Sequence, residues 1–159
     1  RSTACNAAST RRRSRTSGTI TIAEPGASQA AIGVAAVAGR AAGILQELQQ
    51  LPAVAQALAA APRAVAESLP AVFAASDFVA DSCTREAGLI PMLIDSGTLL
   101  APRSVADYAA CAAADRPQAD EAQFQSWLRH WRRRELVRIA WRDLAGWADV
   151  EATIGELSA

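Results

Sequence analysis

The stretch Leu128 to Asp149 reads LRHWRRRELVRIAWRDLAGWAD. It has no two-residue alternation, but at 3.6 residues per turn it sorts into faces. Leu136, Val137, Ala140, Trp141, Leu144 and Trp147 share one broad apolar side, with Arg134, Glu135, Arg138 and Arg142 opposite. Leu128, Trp131 and Ile139 sit among the charges. A helix that is apolar on one side and part-apolar on the other packs between neighbours, which predicts a long central helix. Asp120 is positioned to cap its start, and Gly146 to end it after about Ala145.

Outward from this helix the punctuation stays helical. Pro52, Pro62, Pro70, Pro91, Pro102 and Pro117 cut the chain into short segments, and no alternating strand pattern separates them. Ser28 is placed to cap a helix running to about Gln50, and a second stretch from about Val54 to Ala60 follows Pro52. Pro70 reads as the first turn of a helix reaching Cys83, where its missing N–H is harmless. Ser96 and Gly97 close a short helix around Leu89 to Asp95, and Ser104 with Asp107 makes a Ser-x-x-Asp start for another through about Ala114. The fold class is therefore all-α, and no internal repeat is present.

The 159 residues, 51% of them apolar, suffice for one domain with a core. All 16 basic residues are Arg, five of them (Arg1, Arg11, Arg12, Arg13 and Arg15) ahead of residue 20 with no acid, which leaves 11 − 16 = −5 afterwards. This Arg- and Ser-rich start is too poor in bulky apolar residues to offset the entropy of ordering, so residues 1–27 are expected to be a disordered tail and 28–159 the helical part. A transit peptide is the other reading, but residues 1–19 hold no large apolar side chain to build its apolar face. Val150, Ile154 and Leu157 keep helical spacing to Ala159 without a stop, so the chain is expected to end inside a helix. Cys5, Cys83 and Cys111 form neither a disulfide framework nor a zinc spacing, which fits a reducing cytoplasm, and no apolar run is long enough for a membrane span.

Catalytic constellations are thin. His130, the only histidine, has no partner at metal spacing and is expected at a solvated position. Asp77 and Asp81, at i and i+4, resemble a carboxylate pair for a metal, but a third ligand is lacking and capping or pairing with Arg accounts for them better. Ser76 and Ser82 find no base and orienter. For the Arg run three readings compete: a nucleic-acid face with interleaved aromatics, a phosphate-binding cluster, and ion pairs inside a bundle. The last explains most of the charge, since Glu135 is three residues from both Arg132 and Arg138.

Two segments carry a resemblance. Phe73 to Ser82, FAASDFVADS, resembles the "SDFV" helix near the start of bacterial glutamine synthetase adenylyltransferases, and Leu89 to Leu100 resembles the short helix and "SGxL" turn after it. Leu128 to Asp149 is similar to that family's "RRRxMVRIAWRDL" helix nearly residue for residue. The match spans roughly Leu69 to Ala159. It makes Ser76, Asp77, Phe78, Asp81, Arg132, Arg133, Arg134, Arg138 and Trp141 motif positions with a scaffold role.

The resemblance implies a large two-headed enzyme whose N-terminal half removes AMP from glutamine synthetase by phosphorolysis and whose C-terminal half adds it from ATP with magnesium, under control of glutamine and the PII signal protein. It further implies that this chain is an irregular helical bundle flanking a nucleotidyltransferase domain missing here. In the family a Gly-Gly stretch and an Asp-x-Asp pair hold nucleotide and metal. This sequence contains neither, so no catalytic residue carries over and no ATP or Mg2+ is expected in this chain. The implied partners are glutamine synthetase, PII and the remainder of its own chain, with no membrane and no nucleic acid. If the latter covers Leu136, Val137, Trp141 and Leu144, those side chains should lie exposed here. The rival reading is a free-standing helical module whose Arg-rich tail binds nucleic acid or an acidic partner.

Overall fold

The computed structural model of the protein describes residues 25–117 and 120–159, with side chains described from residue 33. The expected tail therefore lies, up to Glu24, outside the described residues. Within them the chain forms eight α-helices and no strand: α1 Pro25–Gln49, α2 Pro52–Ala60, α3 Arg63–Ala75, α4 Asp77–Arg85, α5 Leu89–Asp95, α6 Val105–Asp115, α7 Glu121–Leu144 and α8 Val150–Leu157. The all-α expectation holds. α1 opens at Pro25, ahead of the cap expected at Ser28.

Most boundaries follow local chemistry. Ser104 and Asp107 form a reciprocal capping box, and the carboxylates of Asp120 and Asp149 accept from Gln123 N–H and Ala152 N–H, both at 2.8 Å. α7 ends in a Schellman turn. Gly146, at φ +72°, donates to Asp143 C=O and Trp147 donates to Arg142 C=O, a geometry that needs the left-handed residue at Gly146. α8 spans Val150–Leu157, and Ser158 at its C-cap donates its N–H and hydroxyl to the Ile154 carbonyl.

One element differs from the sequence reading. The helix expected from Pro70 to Cys83 is two helices, and Pro70 sits inside the first of them. α3 already starts at Arg63 behind Pro62, so Pro70 costs the Ala66 carbonyl its usual donor, a loss taken on the exposed side of the helix. The break comes at Ser76, whose extended backbone (φ −143°, ψ 106°) lets its hydroxyl accept from Val79 N–H at 3.3 Å. Ser and Asp compete well for this role because their short side chains replace the helix's own hydrogen bonds.

The core collects Leu48 from α1, Val54 from α2, Val65, Leu69, Val72 and Phe73 from α3, Val79 and Cys83 from α4, Leu89, Ile90 and Leu93 from α5, and Val137 and Trp141 from α7. α1 lies on α3, α2 on α5, and α7 crosses α3, α4 and α5 while carrying α8 on its other side. The expectation that Val137 and Trp141 would be uncovered fails, since both are fully buried against α3, α4 and α5. Leu144 alone of that set is exposed, at 38%, and Leu136 is half-buried.

Ser76→Ala removes the cap at the α3–α4 break, and the expected cost is about 1 kcal/mol in a denaturant titration, with Ser76→Gly milder by most of that amount. Equal stability of Ser76→Ala and the parent would mean that the break is held by packing alone.

Candidate functional site

The face of α7 opposite the core is the least expected part of the molecule. Arg138 has no exposed surface, Arg142 is 2% exposed, and Glu135 is buried beside them. Charges so far from water are tolerable only if each donor and acceptor is matched. Arg138 meets that condition in full. Its Nε donates to Glu135 Oε2 at 2.9 Å, Nη1 to the carbonyls of Thr98 and Ala101 at 3.4 Å, and Nη2 to Tyr108 Oη at 2.6 Å and to Glu156 Oε2. A guanidinium has five N–H groups, and all five are used.

The cluster spreads from there. Arg142 donates from Nε to Glu156 Oε1 at 3.2 Å and from Nη1 to Leu99 C=O at 2.9 Å. Glu135 also receives Arg103 at 2.6 Å and Arg134 at 3.1 Å, and Arg134 reaches Asp115 at 3.1 Å. Four guanidinium groups thus face three carboxylates. Burial alone would raise the Glu156 pKa, but the hydrogen bond and charge of Arg138, then Arg142 and Tyr108, outweigh it and hold the carboxyl below its ordinary range. Burial is the largest influence on Tyr108 and pushes its phenol up, opposed by Arg138. Arg138 is pushed down by burial and, more strongly, up by Glu156 and Glu135, which fixes it as a cation.

The motif positions scatter relative to this cluster. Arg134 and Arg138 belong to it, and Trp141 lies on the core side, its indole N–H donating to Ser68 Oγ at 2.8 Å. Ser76 is the α4 cap, Phe78 is 47% exposed, and Asp77 and Asp81 pair with Arg40 at 2.8 and 3.2 Å. Arg132 and Arg133 make no ion pair among the described residues. His130 is exposed, with Glu86 3.3 Å from its Nδ1. Sequence reasoning missed Arg40, Arg103, Tyr108, Arg142 and Glu156 as partners. The one signal for Glu156 was a carboxylate set between Ile154 and Leu157.

The residues from which the structure builds its buried cluster fall inside a known sequence family. The family described as glutamate-ammonia ligase adenylyltransferase matches residues 66–159, more than half the chain. The chain belongs to that family. Relatives named bifunctional glutamine synthetase adenylyltransferase/adenylyl-removing enzyme include those of Thioalkalivibrio sulfidiphilus, 41% identical over 93 residues, and Nitrosococcus oceani, 39% identical over 93 residues. That of Shewanella loihica is 34% identical over 96 residues. Each alignment covers 58% of this chain and 10% of the relative, so the chain spans about a tenth of the length of the curated relatives it matches. No solved structure matches the chain.

Among the described residues no three His, Cys, Asp or Glu side chains stand together as ligands of a metal such as Mg2+ would. A divalent cation needs carboxylates free to bind it, but Arg40 already lies against Asp77 and Asp81, and Glu135 and Glu156 are taken up by buried arginines. Arg103, Arg134, Arg138 and Arg142 are taken up by carboxylates in the same way. Cys83 is no nucleophile, since burial pushes its thiol up to about 12. Among the described residues no helix is long and apolar enough to cross a membrane.

In this family member Arg138→Met should take one partner each from Glu135, which keeps Arg103 and Arg134, and from Glu156, which keeps Arg142. It should also leave the Thr98 and Ala101 carbonyls without their donor, at a total cost of about 3 kcal/mol in chemical denaturation. The double variant Arg138→Met/Glu156→Met should lose less than the sum of the two single losses. Additive losses would show that the two side chains act independently.

The pH dependence follows from Glu156. Because its folded pKa lies below the ordinary 4.5, its contribution is present above about pH 4.5 and is lost as pH falls through the lower folded value. Thermal melts should show Tm falling below that pH, with a shallower fall in Glu156→Gln. Parallel curves would contradict the assignment.

Proposed function

We propose that this chain is a helical scaffold region of an enzyme that adds AMP to glutamine synthetase and removes it again, and that the chain has no such activity by itself. The observation that carries the reading is the sealed Arg138 cluster. It is built from the segments that match the family, Leu99 to Tyr108 and Glu135 to Glu156, and it spends their charged groups on one another rather than on a ligand. Both activities move an adenylyl group, and charge on the phosphates must be neutralised by a metal ion or free cations. With no Gly-Gly and no Asp-x-Asp in the sequence, that role falls to other parts of the longer family protein, which hold ATP and Mg2+.

The proposed partners are glutamine synthetase as substrate, PII as regulator, and the remainder of the family's longer chain, in the cytoplasm. The helix α8 supports the last of these. Its single buried residue is Glu156, while Val150, Ile154 and Leu157 form an apolar stripe exposed at 72, 58 and 56%. A helix that docks by its carboxylate and turns its apolar side outward suits a surface that packs on further protein.

Two assays test the proposal. The pure chain, given adenylylated glutamine synthetase and inorganic phosphate, is expected to release no ADP, and given unmodified enzyme with ATP and Mg2+ to transfer no AMP. Grafting residues 66–159 in place of the matching segment of the Thioalkalivibrio enzyme should leave both activities in the chimera. ADP release by the chain alone would overturn the inactivity, and a folded chimera lacking both activities would overturn the scaffold role.

A further inference from the structure

Residues 25–159 contain eleven arginines, the 16 of the whole sequence less the five near its start. Seven of them, Arg40, Arg63, Arg85, Arg103, Arg134, Arg138 and Arg142, pair with carboxylates. Arg116 lies over the Phe124 ring at 4.9 Å. The three left without an ion pair among the described residues are Arg129, Arg132 and Arg133, and they are neighbours on α7. They are spaced i, i+3 and i+4, within roughly 100° of arc, so they repel one another with no carboxylate between them. Arg129 and Arg132 are exposed and Arg133 is half-buried. Leu128, 43% exposed, and Leu136, half-buried, stand one turn either side of Arg132 on the same strip.

The same fold neutralises the arginines it buries, and at its surface it pairs Arg40, Arg63 and Arg85 with carboxylates. Three like charges on one face repel one another weakly through water, and an external anion relieves that repulsion. We propose that this strip of α7 is a docking surface for an acidic polypeptide segment, its carboxylates received by Arg129, Arg132 and Arg133 and its apolar side chains by Leu128 and Leu136. A guanidinium receives a carboxylate through two parallel N–H bonds, and alternating Arg and Leu rows match an acidic amphipathic helix.

A nucleic acid fits less well. The aromatic side chains that bases would need, Phe124, Trp127 and Trp131, stack on each other at centroid separations of 5.6 and 6.1 Å. They stand roughly opposite the arginine strip around the helix. This inference stands apart from the scaffold reading, since it concerns side chains that the Arg138 cluster does not use.

The test is fluorescence anisotropy with the full 159-residue chain and a short fluorescein-labelled peptide of Glu, Ala and Leu. Saturable binding is expected, weakening as salt rises from about 50 to 200 mM. R129Q/R132Q/R133Q should bind about tenfold more weakly and R132Q alone a few fold, whereas R11Q/R12Q/R13Q/R15Q should bind as the parent does. Far-UV circular dichroism of each variant should match the parent, because the altered side chains are outside the core. The proposal is overturned by absence of binding at low salt or by binding that survives the triple substitution. It is overturned equally if only the early arginines matter, or if a labelled oligodeoxynucleotide of equal charge binds tighter through the same three residues.

Discussion

Arg138 sets the geometry on one whole side of the molecule. Its five N–H groups end on five acceptors drawn from four places in the chain: Glu135 on its own helix, the carbonyls of Thr98 and Ala101 in the α5–α6 connection, Tyr108 on α6, and Glu156 on α8. No apolar side chain of similar size can substitute in that role. A leucine or methionine here would leave two main-chain carbonyls without their donor and take one partner from each of two carboxylates at once. The planar fork also fixes direction, so the connection, α6 and α8 are not merely attracted to α7 but held in one register against it.

α7 is accordingly two helices in one. Toward α3, α4 and α5 it presents Val137 and Trp141, and the driving force is removal of apolar area from water. Toward α8 it presents Arg138 and Arg142, and cohesion comes from matched charge with water excluded. α6 relies largely on the second kind of contact: Tyr108, its one buried residue, accepts from Arg138 while its ring meets Trp131 edge-on at 6.3 Å, and Asp115 links it to Arg134. α8 does likewise through Glu156, with Thr153 donating to Asp143 at 3.1 Å. A bundle joined this way behaves as a hydrophobic body of α1 to α5 and α7 with two helices fastened on by ionic contacts.

The division explains what could be read from the sequence. The caps at Ser104 and Asp120 and the turn at Gly146 depend on residues within four positions, and local chemistry decides them. The length of α7 and the all-α class follow from the same kind of information. Inside the cluster the i, i+3 pair of Glu135 and Arg138 was legible, but the rest was not, because whether an arginine is buried depends on a carboxylate elsewhere: Glu135 lies 32 residues from Arg103, and Glu156 lies 18 from Arg138. Amphipathic logic assigns Arg138 and Arg142 to solvent and is defeated by those partners. Pro70 shows a smaller failure of the same type. A proline normally starts a helix, but the core demand of Val65 and Leu69 carried α3 straight through it.

The arginine-rich run of α7 is divided by helical angle alone. Arg134, Arg138 and Arg142 follow one row spaced by four and go inside, while Arg129 and Arg133 follow another such row, with Arg132 beside it, and stay at the surface. The two sets respond to different physics. Arg138 and Arg142 are sealed from ions, so added salt has little to screen there, and their strength rests on complete hydrogen bonding. The outer set sits in high dielectric, where each charge is worth little until a partner arrives and where salt weakens whatever forms. Surface arginines on this helix can therefore change with a binding partner without disturbing the fold. An inner arginine can change only together with Glu135, Glu156 and the carbonyls of the connection it holds.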